Sequence, residues 1–184
     1  MNKQEIEKQK YEKSYQDKNY KMGDRRKATA IKIIRAVTSE NTIETHLDVS
    51  AGRGEIVDYV LSLGIPSKGT EIVESLLIPG KVEFAWANSL PYEDKSFDFL
   101  TNLDAMEHYL PEQTEEILEE FCRVTKKFIY FAISNKPSYH AGNNLHINMK
   151  TYDEWERVLS KYGKVTRPLR NDNPISENFL LQLI

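Results

Sequence analysis

A single cysteine, Cys122, is the only thiol in the chain. It cannot form an internal disulfide, and its place in the amphipathic stretch ILEEFCRV reads as a buried structural thiol rather than a nucleophile. No apolar run approaches the roughly 20 residues that a bilayer-spanning helix needs. The opening, MNKQEIEKQKYEK, has none of the apolar core of a secretory signal. These absences lead us to expect a soluble, cytoplasmic protein. There is also no internal repeat, no low-complexity segment and no block of Lys and Arg longer than three residues. Repeat arrays and long polybasic tails are set aside on that basis.

What is present is a chain of 184 residues, 40% of them hydrophobic, long enough to bury a core and within the usual size of one domain. Its net charge of −3 conceals an asymmetry. Residues 1–35 hold 11 Lys and Arg against 5 Asp and Glu, a balance of +6, while residues 36–184 hold 14 against 23, a balance of −9. We therefore divide the chain into an N-terminal helical arm or lid over residues 1–38 and one domain over 39–184. The arm has two readings: a surface that meets an anion, or a solvated helix face that pairs with the acidic body.

Periodicity orders the rest. Residues 4–18 are polar and helix-compatible, YKMGD breaks the pattern, and Ala28, Ile31, Ile34, Ala36 and Val37 mark a helix with an apolar face. THLDVS (45–50), SKGTEI (67–72), VEFAWA (82–87), SFDFLTNL (96–103) and KFIYFAIS (127–134) read as strands, with helices over 55–63 and 111–125. Such alternation implies parallel strands with right-handed crossovers, hence an open three-layer α/β sheet. Residues 135–150 form a long loop rich in Asn, Gly and His. Thr151 and Glu154 then make a capping box for a helix whose face carries Tyr152, Trp155, Val158, Leu159 and Tyr162, ended by Gly163. KVTRPL and ENFLLQLI close the sheet as an antiparallel hairpin.

The chemistry starts at LDVSAGRGE (47–55), a strand-to-helix turn whose glycines let backbone N–H groups approach a ligand. Glu71, 23 positions after Asp48, ends the second strand. A carboxylate there can accept the hydroxyls of a ribose, so the pair points to an adenosine-containing cofactor. Taken in order, LDVSAGRGE, GTEI, ANSLPYEDKSFDFLTNLDAMEHY and FCRVTKKFIYFAIS resemble the small class I (Rossmann-like) methyltransferases that bind S-adenosylmethionine. The resemblance spans about residues 45–165, and the middle block is its most specific part.

The resemblance implies roles. Asp48, Ser50, Ala51 and Gly52 would hold the methionine end, Glu71 the ribose, Ile72 one face of the adenine, and Asn88 with Ser89 its edge. Asn102 and Leu103 would flank the sulfonium, and Arg25, with Tyr20 and Arg26, would close over the carboxylate. Ser50 stands where glycine is usual and Asn88 where aspartate is. We expect Ser50 to keep a negative φ with its hydroxyl near the methionine moiety; a positive φ would favour a worn cofactor loop. His108 would meet the methyl acceptor, as a general base if its pKa is ordinary, or else as an anchor for the next segment. Tyr139, His140 and His146 are further acceptor-side residues, and no metal is expected.

These roles imply a methyltransferase acting on an oxygen or nitrogen of a small molecule or a sugar- or lipid-linked group. The chain lacks the Asn/Asp-Pro-Pro-aromatic motif of base-specific amino methyltransferases, which lowers that substrate class without excluding nucleic acid. Two other readings are a non-catalytic cofactor-binding partner and a nicotinamide-dependent oxidoreductase.

Overall fold

The computed structural model describes residues 2–140, 142–169 and 176–184. Two helices come first, α1 (Lys3–Ser14) and α2 (Asp24–Glu40). Then follow β1 (His46–Val49), α3 (Glu55–Ser62), β2 (Ser67–Glu71), β3 (Val82–Phe84), β4 (Phe97–Leu103), α4 (Thr114–Val124) and β5 (Thr125–Ile133). A two-residue hairpin, β6 (Tyr139–His140) with β7 (Asn143–Asn144), leads to α5 (Tyr152–Leu159), β8 (Gly163–Thr166) and β9 (Glu177–Leu183).

Seven strands form one sheet in the order β3-β2-β1-β4-β5-β9-β8. The first five are mutually parallel, and β9 runs antiparallel to both β5 and β8. This is the mostly parallel three-layer sheet with an antiparallel C-terminal hairpin that the alternating periods imply. Both faces of its centre are covered, which is why β4 and β5 read as continuous apolar runs. In β5, Ile129, Phe131 and Ile133 pack on one face with Ile117, Phe121 and Trp155 from α4 and α5. Tyr130 and Ala132 pack on the other with Ile33, Ile34 and Val37 from α2 and Ile56 and Val60 from α3.

Four details differ from the sequence expectation. The buried face of α2 is Ala30, Ile33, Ile34 and Val37, a spacing of i, i+3, i+4, i+7, whereas Ala28 and Ala36 are exposed. β3 ends at Phe84 because Trp86 and Ser89 close a turn through their own bridge. Pro111–Gln113 is a separate 3-10 turn ahead of α4. Gly163 does not end α5 but opens β8, where a Cβ would lie 2.2 Å from the Gln182 carbonyl oxygen; β8 stops at Thr166, two residues before Pro168, which has no N–H for the ladder.

The capping box does form. The Thr151 hydroxyl accepts from the Glu154 N–H at 3.2 Å and the Glu154 carboxylate accepts from the Thr151 N–H at 2.7 Å. The helix carries Trp155 and Leu159, both fully buried. Thr151→Ala is expected to cost about 1 kcal/mol of stability, measurable as a lower midpoint in urea with an unchanged m-value.

The charge asymmetry resolves into intramolecular pairs. Lys3 meets Glu112, Lys8 meets Glu74 at 2.9 Å, Arg26 meets Asp104 at 3.1 Å and Lys27 meets Glu55 at 2.6 Å. The basic segment thus lies along acidic groups of the body, the plainer of its two readings. No helix among the described residues is long and apolar enough to cross a membrane.

Candidate functional site

A cavity of about 370 Å³ opens at the carboxyl ends of β1, β2 and β4. Strand order reverses between β1 and β4, and open α/β sheets bind ligands at such a crevice. The loop after β1 forms its floor. Ser50, Gly52 and Gly54 have φ of +61°, +54° and +72°. Gly52 is required twice, by its φ and because a Cβ would sit 3.0 Å from the Tyr15 hydroxyl. Gly69 on β2 lets the loop seat: its Cβ would come within 2.8 Å of Ala51 Cβ.

Ser50 departs from expectation. Its φ is positive, a conformation that costs an L-residue roughly 1–2 kcal/mol. Its hydroxyl is engaged with the Tyr109 hydroxyl at 2.8 Å, which also accepts from Asn102 Nδ2 at 2.8 Å. Asn102 Nδ2 donates to the Val49 carbonyl as well, at 3.0 Å. Asn102 therefore does not line the cavity but braces the loop from beneath, and Ser50 is tied to that brace.

Glu71 is buried and accepts three backbone N–H groups: Gly52 on Oε2 at 2.9 Å, and Ile72 and Val73 on Oε1 at 2.7 and 3.2 Å. Burial pushes its carboxyl up, against those three bonds. A carboxylate offers about four lone-pair sites, so as found one remains, and the two-hydroxyl clamp expected from sequence needs the Gly52 N–H to let go. Asp48 is buried beside it. The chain His46 Nε2–H to Thr101 Oγ1 (3.0 Å) to Asp48 Oδ1 (2.6 Å) orients its carboxyl. The Thr101 hydroxyl donates to the carboxylate, so His46 donates to threonine and its Nδ1 accepts from Ser67 at 2.7 Å. Burial raises Asp48 to about 7 and holds His46 neutral, near 3.

At the far side of β2, Ile72, Trp86, Ala87 and Asn88 line the wall. The Asn88 oxygen accepts from Gln4 Nε2 of α1 at 3.1 Å. Ser89 sits in the turn and does not line the cavity. The opposite end is built by Leu103, Asp104, His108, Tyr109 and His146. His108 Nδ1 faces the Leu145 carbonyl at 3.0 Å and the Tyr11 hydroxyl at 2.7 Å. A carbonyl only accepts, so Nδ1 carries the proton and Nε2 the lone pair. Burial first, then His146, lowers His108 to about 3, below the near-neutral pKa expected of a general base.

The roof is α1. Gln4, Glu7, Tyr11 and Tyr15 face the cavity, and Tyr15 and Tyr20 pack edge to face with centroids 4.9 Å apart. Arg26 lines the cavity from the start of α2, whereas Arg25 is exposed and does not. His140 stacks on Tyr20 at 4.7 Å and pairs with Asp17, outside the lining, and Tyr139 is 73% exposed. His146 alone of the three loop residues reaches the cavity.

A family model for a methyltransferase domain matches residues 47–133, the stretch that holds Asp48, Glu71, Asn88 and His108. This part of the chain is similar to methyltransferase domains, and the sheet is that of the class I methyltransferase fold. Three solved structures share the fold at low identity. A protein from Pyrococcus horikoshii OT3 is 14% identical with a TM-score of 0.71, covering 90% of this chain and 93% of its own. A 1,6-didemethyltoxoflavin-N1-methyltransferase from Burkholderia thailandensis, solved with that compound and S-adenosylhomocysteine, is 18% identical with a TM-score of 0.68, covering 97% and 87%. A SAM-dependent methyltransferase from Methanosarcina mazei is 19% identical with a TM-score of 0.63, covering 83% and 96%. No curated protein sequence matches significantly.

The cavity also holds residues that carry no signal in the sequence motifs. Arg53, between Gly52 and Gly54, lines the cavity with Nε and Nη2 buried and without hydrogen-bond partners, 5.6 Å over the Tyr15 ring. A guanidinium so placed can meet a carboxylate with two hydrogen bonds. The α1 residues had one available signal: positions 4, 7, 11 and 15 recur every three to four residues. That stripe is polar and aromatic, so it has no apolar period to reveal it.

Proposed function

We propose that this protein transfers a methyl group from S-adenosylmethionine to an oxygen or nitrogen of a small molecule, or of a sugar- or lipid-linked group whose reacting end is small. The observation that carries this is the cavity itself: one continuous cleft with carboxylates at one end, histidines at the other and α1 over it. At about 370 Å³ it is near the lower limit of pockets that hold a single drug-sized ligand. A cofactor inside it leaves room for little more than the reacting group of an acceptor while α1 is closed.

Asp48 would hold the methionine ammonium and Arg53, with Arg26 nearby, its carboxylate. Glu71 would accept ribose hydroxyls, and Ile72, Trp86 and Asn88 would frame the adenine. Leu103 would flank the sulfonium, which supplies an electrophilic methyl group when the cofactor is bound. At the acceptor end His108 Nε2 would accept a hydrogen bond from the attacking group and hold it in line, a positioning task that needs no proton uptake. Tyr11, bonded to His108, links that end to the closure of α1.

A second reading, a cofactor-holding partner without catalysis, is favoured by the positive φ of Ser50 and by the engagement of Asn88 with Gln4. Calorimetric titration with S-adenosylmethionine and S-adenosylhomocysteine is expected to show one site. Binding of neither sinks both readings. Binding without transfer of labelled methyl to any component of a broad metabolite mixture favours the partner; labelled product identifies the acceptor.

A further inference from the structure

Glu107, His108 and His146 offer donor atoms that all lie within 4.8 Å of one another at the histidine end of the cavity. Adjacency in sequence explains only the first two. The third arrives because the loop before α5 doubles back: Ile147 and Asn148 N–H groups both donate to the Glu107 carbonyl at 3.0 Å. Glu107 is completely buried. Its Oε1 accepts from the Ser134 N–H at 3.0 Å, and its Oε2 has no partner. Both imidazoles present Nδ1 to a backbone carbonyl, His108 to Leu145 and His146 to Lys136. Each ring is thereby held in the tautomer whose Nε2 is unprotonated.

From this arrangement we infer that Glu107, His108 and His146 form a binding site for a divalent first-row transition ion, of the Zn²⁺ or Co²⁺ kind, at the acceptor end of the cavity. Two neutral imidazole nitrogens and one carboxylate oxygen make a donor set suited to such ions rather than to Ca²⁺ or Mg²⁺, which favour oxygen. Carbonyl bonds on the non-ligating nitrogens are the outer support that metal-bound histidines use. The site has three protein ligands, so a position is left open, as in catalytic rather than structural metal sites. With His108 and His146 both lining the cavity, that position faces the acceptor.

Geometry and charge set the conditions. Metal–ligand bonds near 2.0–2.1 Å imply donor-to-donor edges of about 3.3 Å in a tetrahedral site, so the side chains must draw in from the present separation. His108 and His146 now meet edge to face with centroids 4.6 Å apart, a contact that ring rotation can convert. The neighbouring charges are Arg26 and Asp104, which pair at 3.1 Å, and the Asp104 carbonyl also interacts with the His108 ring. Burial first, then the Asp104 charge, pushes the Glu107 carboxyl well above its usual range, so a bound ion would displace its proton.

Binding of the ion stands on these residues alone; its contact with a methyl acceptor rests on the function proposed above. The test uses the full chain, stripped with a chelator and titrated with Co²⁺ and then Zn²⁺. One equivalent of Co²⁺ is expected to give visible ligand-field absorption that Zn²⁺ displaces. His146→Gln should weaken binding at least ~100-fold, more than the ~10–100-fold typical of losing an outer hydrogen-bond partner. His140→Gln, which alters a histidine outside the cavity, should leave it unchanged. Absence of stoichiometric binding, or wild-type affinity in both His146→Gln and His108→Gln, overturns the site, as does a loss that follows His140 instead. The two readings separate cleanly. Metal binding without cofactor binding leaves the site standing and the methyltransferase role fallen, and methyl transfer by a chain that binds no metal does the reverse.

Discussion

Replacing Glu71 by alanine is expected to weaken S-adenosylmethionine binding ~100-fold, because two charge-assisted hydrogen bonds at 1.5 kcal/mol or more each are lost together. The effect has two sources that separate experimentally. The carboxylate would hold the ribose, and it already gathers the N–H groups of Gly52, Ile72 and Val73 at the mouth of the cavity. Its removal leaves those donors to whatever water can enter, so the ligand-free protein is expected to lose ~2 kcal/mol as well, at the 1–3 kcal/mol scale of a buried unsatisfied group. Glu71→Gln keeps an acceptor oxygen but turns an NH₂ toward N–H groups, and should cost about tenfold in affinity, between wild type and alanine. Calorimetry for the cofactor and thermal unfolding for the free protein report the two parts. Alanine binding within a few-fold of wild type would remove Glu71 from the cofactor site.

Cofactor affinity is also expected to climb as pH rises from about 5.5 to 7, by up to tenfold per unit, and to level off above 7. In the free protein burial holds Asp48 near 7, so at pH 6 its carboxyl is mostly protonated and must ionise to meet the methionine ammonium. The upper limit comes from the ligand: an α-ammonium titrates near 8, so affinity falls again beyond that. For the free protein the sign is opposite. A carboxyl whose folded pKa lies above its unfolded value binds protons more tightly when native, so its contribution favours folding at low pH and weakens as pH rises from about 4 to 7. Asp48→Asn should flatten the acid limb of the binding profile and weaken binding at pH 7.5 by about tenfold, the scale of one charge-assisted bond. An unchanged limb in the variant would place the titration elsewhere.

The sheet was legible because its cause is local. LDVS, FDFL and FIYFAI are short apolar runs bounded by turn residues, and helices of 3.6-residue period separate them, which is enough to call a parallel sheet covered on both sides. Glu71 and Asp48 were legible because they sit at strand ends, where side chains meet the crevice. The capping box at Thr151 was legible because its two bonds join residues three apart. Of the arginine doublet expected over the cavity, only Arg26 lines it, because one residue is a rotation of about 100° on α2 and the doublet carries no sign of which member faces inward. His108 lines the cavity, but its burial under Tyr11 and beside His146, which lowers its pKa, is not visible in MEHY.

By itself the sequence determined the order of strands and helices, the glycine turn after β1, the acid that ends β2 and the histidine after β4, since each is set by neighbours along the chain. Only the tertiary structure decided three things. It gave Ser50 a positive φ and tied its hydroxyl to Tyr109. It laid the polar stripe of α1 over the cavity through Gln4, Tyr11 and Tyr15. It also brought His146 to Glu107 and His108. The physical reason is shared. Apolar burial imposes a period that survives in the sequence, whereas polar contacts between segments far apart in the chain depend on distance and direction alone, and these exist only once the chain has folded.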